Sequence, residues 1–211
     1  MSTTQPPSFS RRYDLIAFDW DGTLFDSTAI ITRCIQAAVV DVGGRLPSDK
    51  DAAYVIGLGL MQALAHAAPD VPPEKYPQLG ARYQHHYLAH QNDISLFDGV
   101  LPLLADLRAR NHVLAVATGK SRRGLNEALK AAALQGVFDG SRTADETAGK
   151  PNPLMLHALM QEFGVAPERV LMVGDTKEIM LGDPKHEDAK IVAMAGGEPK
   201  HLPLRDPMTM K

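Results

Sequence analysis

The chain has 211 residues, 45% of them apolar, with 22 basic against 25 acidic side chains and a formal charge of −3. That is enough for one large domain or a core domain with a smaller companion, and the absence of any strongly basic stretch argues against nucleic acid as the main partner. A single cysteine, Cys34, cannot close an internal disulfide, no run reaches the length of a membrane span, and the opening MSTTQPPSFS lacks the apolar core of a leader, so a reducing, cytoplasmic setting is expected.

In chain order, Leu15 to Phe18 predicts a buried strand. Ser27 to Val42 has helical periodicity through Ile30, Ile31, Ile35 and Val39, and Gly43-Gly44 ends it. Ser48 with Asp51 predicts the start of a second helix, Leu60 to Ala67 a third, and Glu74 to His90 a fourth despite Pro77. After Asp98, expected to cap a helix running through Leu107, the pattern changes. Val113 to Ala117, Val137-Phe138, Val170 to Val173 and Ile191 to Met194 are expected strands, with helices over Ser121 to Leu134 and Pro151 to Phe163 between them. This order predicts an α/β fold, a doubly wound Rossmann-like parallel sheet from residues 11–26 and 93–211. A small α-helical cap domain, residues 27–92, is inserted after the first strand.

The chemistry concentrates at strand ends. Asp19-Trp20-Asp21-Gly22-Thr23 places two carboxylates two residues apart after the first strand, so both can address one ligand if the backbone stays extended. Their mutual repulsion calls for a cation. The strand at Val113 runs into Thr118-Gly119-Lys120, a hydroxyl and a backbone N–H suited to phosphate oxygens. The strand at Val170 runs into Gly174-Asp175, a third carboxylate, and Lys150 lies between two glycine- and proline-rich flanks in Gly149-Lys150-Pro151-Asn152-Pro153. Taken singly, each of the later pieces is more simply a turn, a cap or a surface lysine; in this order, each after a strand, they point to a divalent cation and a phosphate group.

At these residues the chain resembles the haloacid dehalogenase-like hydrolase superfamily, from Tyr13 to about Asp175, and most closely its phosphoglycolate phosphatase-like branch with a small helical cap. The resemblance implies that Asp19 is a nucleophile and Asp21 a general acid/base, with Thr118 and Lys150 as further catalytic and phosphate-binding positions. Gly22 and Gly119 are expected to bind phosphate as well. For Mg²⁺ it implies Asp19 and Asp175, with the Trp20 backbone carbonyl expected in place of the Asp21 side chain, and Gly57-Leu58-Gly59-Leu60 as the cap segment that meets substrate. The expected activity is Mg²⁺-dependent hydrolysis of a small phosphorylated metabolite through an aspartyl phosphate, by a monomer or homodimer without nucleic-acid or membrane partners. A phosphosugar mutase shares the same motifs, whereas Asp21 argues against a dehalogenase.

The segment after Thr176 departs from that pattern. Ile179 stands where the family carries a second acid, with Glu178 beside it as a tentative metal ligand, and Gly182-Asp183-Pro184 interrupts the expected helix. Three accounts stay open at this point: a tolerated variant using Glu178, a weakened metal site, or a shifted reading frame; the same irregularity keeps open a degenerate family member that acts by binding only. His85, His86 and His90 share one expected helix, but no acid or cysteine cluster joins them, so a cap-surface or cap-core role is expected.

Overall fold

The computed structural model describes residues 12–175, 190–193 and 200–201. Strand β1 (Leu15–Phe18) leads into four helices, α1 (Thr28–Asp41), α2 (Asp49–Tyr54), α3 (Leu60–Ala67) and α4 (Tyr76–His90). Then follow α5 (Val100–Ala109), β2 (Val113–Thr118), α6 (Arg122–Ala131), β3 (Gly140–Thr143), α7 (Leu154–Phe163), β4 (Val170–Val173), β5 (Lys190–Ala193) and β6 (Lys200–His201). The strands form one sheet in the order β3-β2-β1-β4-β5-β6, parallel except for β6.

The alternation of side chains along β1 and β2 explains the two layers. Ile16, Phe18, Leu114 and Val116 point to one face and pack with Val100 and Leu104 of α5 and Leu125 of α6. Leu15, Ala17, Ala115 and Ala117 point to the other and pack with Met155, Leu156 and Leu159 of α7. Every residue of β1 is buried, as a central parallel strand covered on both faces requires. Helices α1 to α4 bury a cluster of their own, from Ile31, Ile35 and Val39 to Leu64 and Leu79.

Two local expectations are corrected. The strand beside β2 is the polar run Gly140–Thr143, not Val137-Phe138. An edge strand is made by its backbone ladder to β2, while Val137 and Phe138 are loop residues that fill the core, Phe138 meeting the rings of Phe18 and Trp20. Helix α5 starts after Gly99, whose φ of 85° is open to glycine, and Asp98 does not cap it. By contrast, Ser48 caps α2 through the Asp51 N–H and Ser121 caps α6 through the Gly124 N–H. The expected strand at Ile191 is β5, one residue earlier, and β6 was not foreseen.

Candidate active site

The site is built where β1 lies between β2 and β4, because the sheet order reverses direction there and leaves a crevice past the carboxyl ends. Phe18 is level with Val116 on one side and Val173 on the other, so Asp19, Thr118 and Asp175 leave the sheet at nearly one height. The Asp19 N–H donates to the Val173 carbonyl at 2.8 Å, which continues the ladder by one residue and fixes the carboxylate's root.

Asp19 and Lys150 are both 2% exposed, and the Lys150 Nζ lies 2.5 Å from Asp19 Oδ1. The contact is an ion pair, and the buried ammonium has no further hydrogen-bond acceptor among the described residues. The Trp20 N–H also donates to Asp19 Oδ1, at 2.7 Å. Burial pushes the Asp19 carboxyl above its usual range, against the opposing pull of Lys150 and the Trp20 N–H. Asp175 is pushed up to about 6 by burial first and by the Asp19 charge second.

The turn after Asp19 is closed by main-chain bonds. The Trp20 carbonyl accepts from the N–H groups of Leu24 at 3.0 Å and Phe25 at 3.1 Å, and more distantly from Thr23 at 3.4 Å. Its lone pairs are engaged, so the expectation that this carbonyl holds a cation is corrected; the Asp21 carbonyl, one residue on, receives no backbone donor among the described turn contacts. The Trp20 indole turns into the core and stacks on Phe25 at 4.7 Å, which anchors the loop. Gly22 has φ of 77°, and a Cβ there would overlap Asp175 Oδ2, so only glycine lets the two loops meet. Thr23 Oγ1 reaches Asp175 Oδ1 at 3.5 Å, at the limit of a hydrogen bond.

Asp21 is separated from Asp19 in its partners. Its Oδ1 accepts from Ser27 Oγ at 2.9 Å and pairs with Lys120 Nζ at 3.1 Å. Lys120 also donates to the Tyr87 hydroxyl of α4 at 3.0 Å. Burial works to lower the pKa of Lys120, but Asp21 first and then Tyr87 hold it well above the lysine range. Sequence reasoning gave Ser27 and Lys120 no role in the site: Ser27 opens the first expected helix, and Lys120 closes the Thr118-Gly119-Lys120 run.

Thr118 is fully buried at the end of β2, and its Oγ1 accepts the Lys120 N–H at 3.2 Å. The segment between α2 and α3 descends onto the site. A Cβ at Gly57 would stand 3.6 Å from Asp19 Oδ2 and 3.9 Å from Lys150 Nζ, and one at Gly119 would stand 2.5 Å from the Gly57 carbonyl. A cavity of about 770 Å³ opens beside it, lined by Asp21, Leu58, Tyr83, Tyr87, Lys120 and Arg123 among others. The loop that carries Lys150 is pinned by Arg122, which holds Glu146 at 2.6 Å. Arg122 and Thr143 draw the Glu146 carboxyl down to about 2.

The donor set suits a hard divalent cation. Two carboxylates meet there, buried Asp19 and half-buried Asp175; both are shifted upward, Asp19 by burial and Asp175 by burial and then by the Asp19 charge. No group of three metal-ligating side chains occurs among the described residues, so a cation would need backbone or solvent oxygens as well. Glu178 lies outside the described residues. His86 lies 2.7 Å from an Asp41 oxygen and His90 3.3 Å from an Asp93 oxygen, contacts between neighbouring polar side chains of the helical region. No helix among the described residues is long and apolar enough to cross a membrane.

Residues 16–182 match the family model described as haloacid dehalogenase-like hydrolase. The chain is 32% identical over 172 residues to a phosphoglycolate phosphatase of Aliivibrio fischeri, covering 77% of this chain and 76% of that one. It is also 30% identical over 182 residues to the tyrosine-protein kinase PtkA of Mycobacterium tuberculosis, covering 82% of this chain and 59% of the kinase. The fold is similar to that of a hydrolase from Pseudomonas syringae, with a TM-score of 0.75 at 24% identity over 85% and 84% of the two chains.

Proposed function

This chain belongs to the haloacid dehalogenase-like hydrolase family, and on that premise we propose that it is a Mg²⁺-dependent phosphatase of small phosphorylated metabolites, phosphoglycolate-like in size. The observation that carries the proposal is the buried Asp19–Lys150 pair, 2.5 Å apart, whose ammonium has no further hydrogen-bond acceptor among the described residues. A phosphoryl oxygen supplies such an acceptor, and Asp19 Oδ2 lies under the Gly57 segment as the nucleophile.

Asp19 attacks phosphorus and carries the phosphoryl group as an acyl phosphate, which divides one hard displacement into two. Asp21 gives a proton to the departing oxygen and then takes one from the water that cleaves the intermediate. The Thr118 hydroxyl, the Gly119 N–H and Lys150 bind the equatorial oxygens, while the Gly22 N–H, expected there too, is given to the Phe25 carbonyl at 2.9 Å. Asp19, Asp175 and the Asp21 carbonyl would hold Mg²⁺, which would supply positive charge against the repulsion between carboxylates and phosphate. Residues 27–92 act as a cap, whose Gly57-Leu58 backbone rests on Gly119 and excludes bulk water.

A screen of phosphorylated metabolites, with released phosphate as the readout and Mg²⁺ present, tests the proposal. The expected result is turnover of a small monoester that EDTA abolishes and that Asp19→Asn lacks. Full activity in Asp19→Asn overturns the nucleophile assignment, and net phosphoryl transfer onto a sugar phosphate without release points to a mutase.

A further inference from the structure

We propose that Lys120 is a positioning residue: its ammonium fixes the Asp21 carboxylate at the edge of the substrate cavity and ties it to helix α4 through the Tyr87 hydroxyl. The inference rests on the proposed role of Asp21 as proton carrier and goes beyond it.

The geometry is that of a bridge. Lys120 Nζ lies 3.1 Å from Asp21 Oδ1 and 3.0 Å from Tyr87 Oη, and 4.8 Å from the Tyr87 ring centre. The Lys120 side chain is 12% exposed and that of Asp21 10%, so neither reaches for solvent. The backbone of Lys120 is held at both ends. Its N–H donates to Thr118 Oγ1, and its carbonyl accepts the Ala144 N–H at 3.1 Å. The ammonium therefore hangs from a rigid root at the end of β2.

Both described partners of Asp21, Lys120 and Ser27, fall on Oδ1. That leaves Oδ2 as the oxygen available to carry the transferred proton. A general acid works only when its proton sits within hydrogen-bond reach of the leaving oxygen. Two donors on one carboxylate oxygen fix the torsion that sets this reach. One of them, Lys120, has its second anchor on α4, whereas Asp21 belongs to the loop after β1. Tyr87, Lys120 and Asp21 all line the same cavity, so the bridge spans the wall against which a leaving group would rest.

A purely structural ion pair and a positioning device differ in one observable. A p-nitrophenolate leaves without a proton, while an alkoxide needs one. The experiment measures kcat/KM, with saturating Mg²⁺, for p-nitrophenyl phosphate and for the best alkyl phosphate of the screen. It compares the full-length chain with Lys120→Met, Lys120→Arg, Tyr87→Phe, Asp21→Asn and the double variant Lys120→Met/Tyr87→Phe.

The expected result is that Lys120→Met lowers the alkyl value by about tenfold or more beyond its effect on the aryl value. Lys120→Arg recovers part of that difference. Tyr87→Phe falls in the same direction by less, and adds almost nothing in the Lys120→Met background. Equal losses on both esters in Lys120→Met overturn the inference, as do independent, multiplying losses in the double variant. If Lys120→Met fails to fold by circular dichroism, Lys120→Arg and Tyr87→Phe keep the charge and carry the same test. Asp21→Asn separates the two levels. A leaving-group difference there without one in the Lys120 and Tyr87 variants overturns the positioning role alone. No such difference in Asp21→Asn overturns the proton-carrier assignment and the inference with it.

Discussion

Lys150 reaches Asp19 from the far side of the chain, 131 residues later, and the two charges meet 2.5 Å apart at 2% exposure each. The loop between β3 and α7 exists, in effect, to deliver one ammonium to the end of β1. A lone carboxylate so deeply buried would protonate, and a lone ammonium would leave.

Removing the cation from that pair should therefore destabilise the fold as well as the reaction. Lys150→Met is expected to lower unfolding stability by about 3–5 kcal/mol, the range for breaking a buried pair from one side. Asp19→Asn in the same chain should recover much of that loss, because the orphaned charge is gone. Urea unfolding of the two single variants and the double variant checks this; strictly additive losses would show that the pair is not coupled.

The close approach of Gly57 to Gly119 carries a second prediction. A Cβ at Gly119 would stand 2.5 Å from the Gly57 carbonyl, a backbone atom that cannot rotate away. Gly119→Ala should hold the 57–58 segment off the end of β2 and lower kcat/KM by about tenfold or more through the lost alignment. The sheet core does not include this contact, so the melting temperature should move little.

Cation binding should depend on pH through Asp175. Its folded pKa, about 6, lies above the ordinary 3.8, so the folded chain holds more protons than the unfolded one between those values. Stability from this group is present below about 3.8 and falls as pH rises through 6. A divalent cation binds the ionised form and reverses the loss. At pH 7.5, Mg²⁺ at tenfold its Kd should add about 1.4 kcal/mol, a rise in Tm of roughly 3–6 °C. The rise should shrink at pH 5, where protons compete, and Asp175→Asn should abolish most of it. A Mg²⁺ shift independent of pH from 5 to 7.5 would overturn the assignment.

The Arg122–Glu146 pair that pins the Lys150 loop gives a prediction of opposite sign. Glu146 is drawn down to about 2 from 4.5, so its contribution is present above 4.5 and is lost as pH falls through about 2. Both side chains are about a third exposed, at 32% and 37%, and solvent screens the pair. Arg122→Ala should thus cost only about 1 kcal/mol or less at pH 6, and the difference from the parent chain should narrow towards pH 2.5. A larger relative loss in kcat/KM is expected, because the loop that aims Lys150 loosens. Unfolding and rate measurements on one preparation compare the two.

Much of this was legible in the chain. Leu15 to Phe18 announced a buried strand by its unbroken apolar run, and Asp19-Trp20-Asp21-Gly22-Thr23 announced its chemistry by spacing. Thr118 and Gly174-Asp175 stood at the ends of apolar strands, so period placed them at the carboxyl edge of the sheet, while their expected roles came from the family resemblance. The polar strand Gly140–Thr143 was not legible, because only pairing to β2 makes it a strand. Nor was the fate of the Trp20 carbonyl, which depends on three N–H groups brought back by the turn.

The amino-acid sequence by itself determined the α/β order, the two acids after the first strand and the later residues that answer them, since these follow from local pattern. Only the tertiary structure decided which charges meet. Lys150 against Asp19, Lys120 against Asp21 and Tyr87, and Gly57 over the site are contacts between segments distant in the chain. The physical reason is that electrostatic pairing in a buried crevice depends on distance and burial, and periodicity along a chain encodes neither.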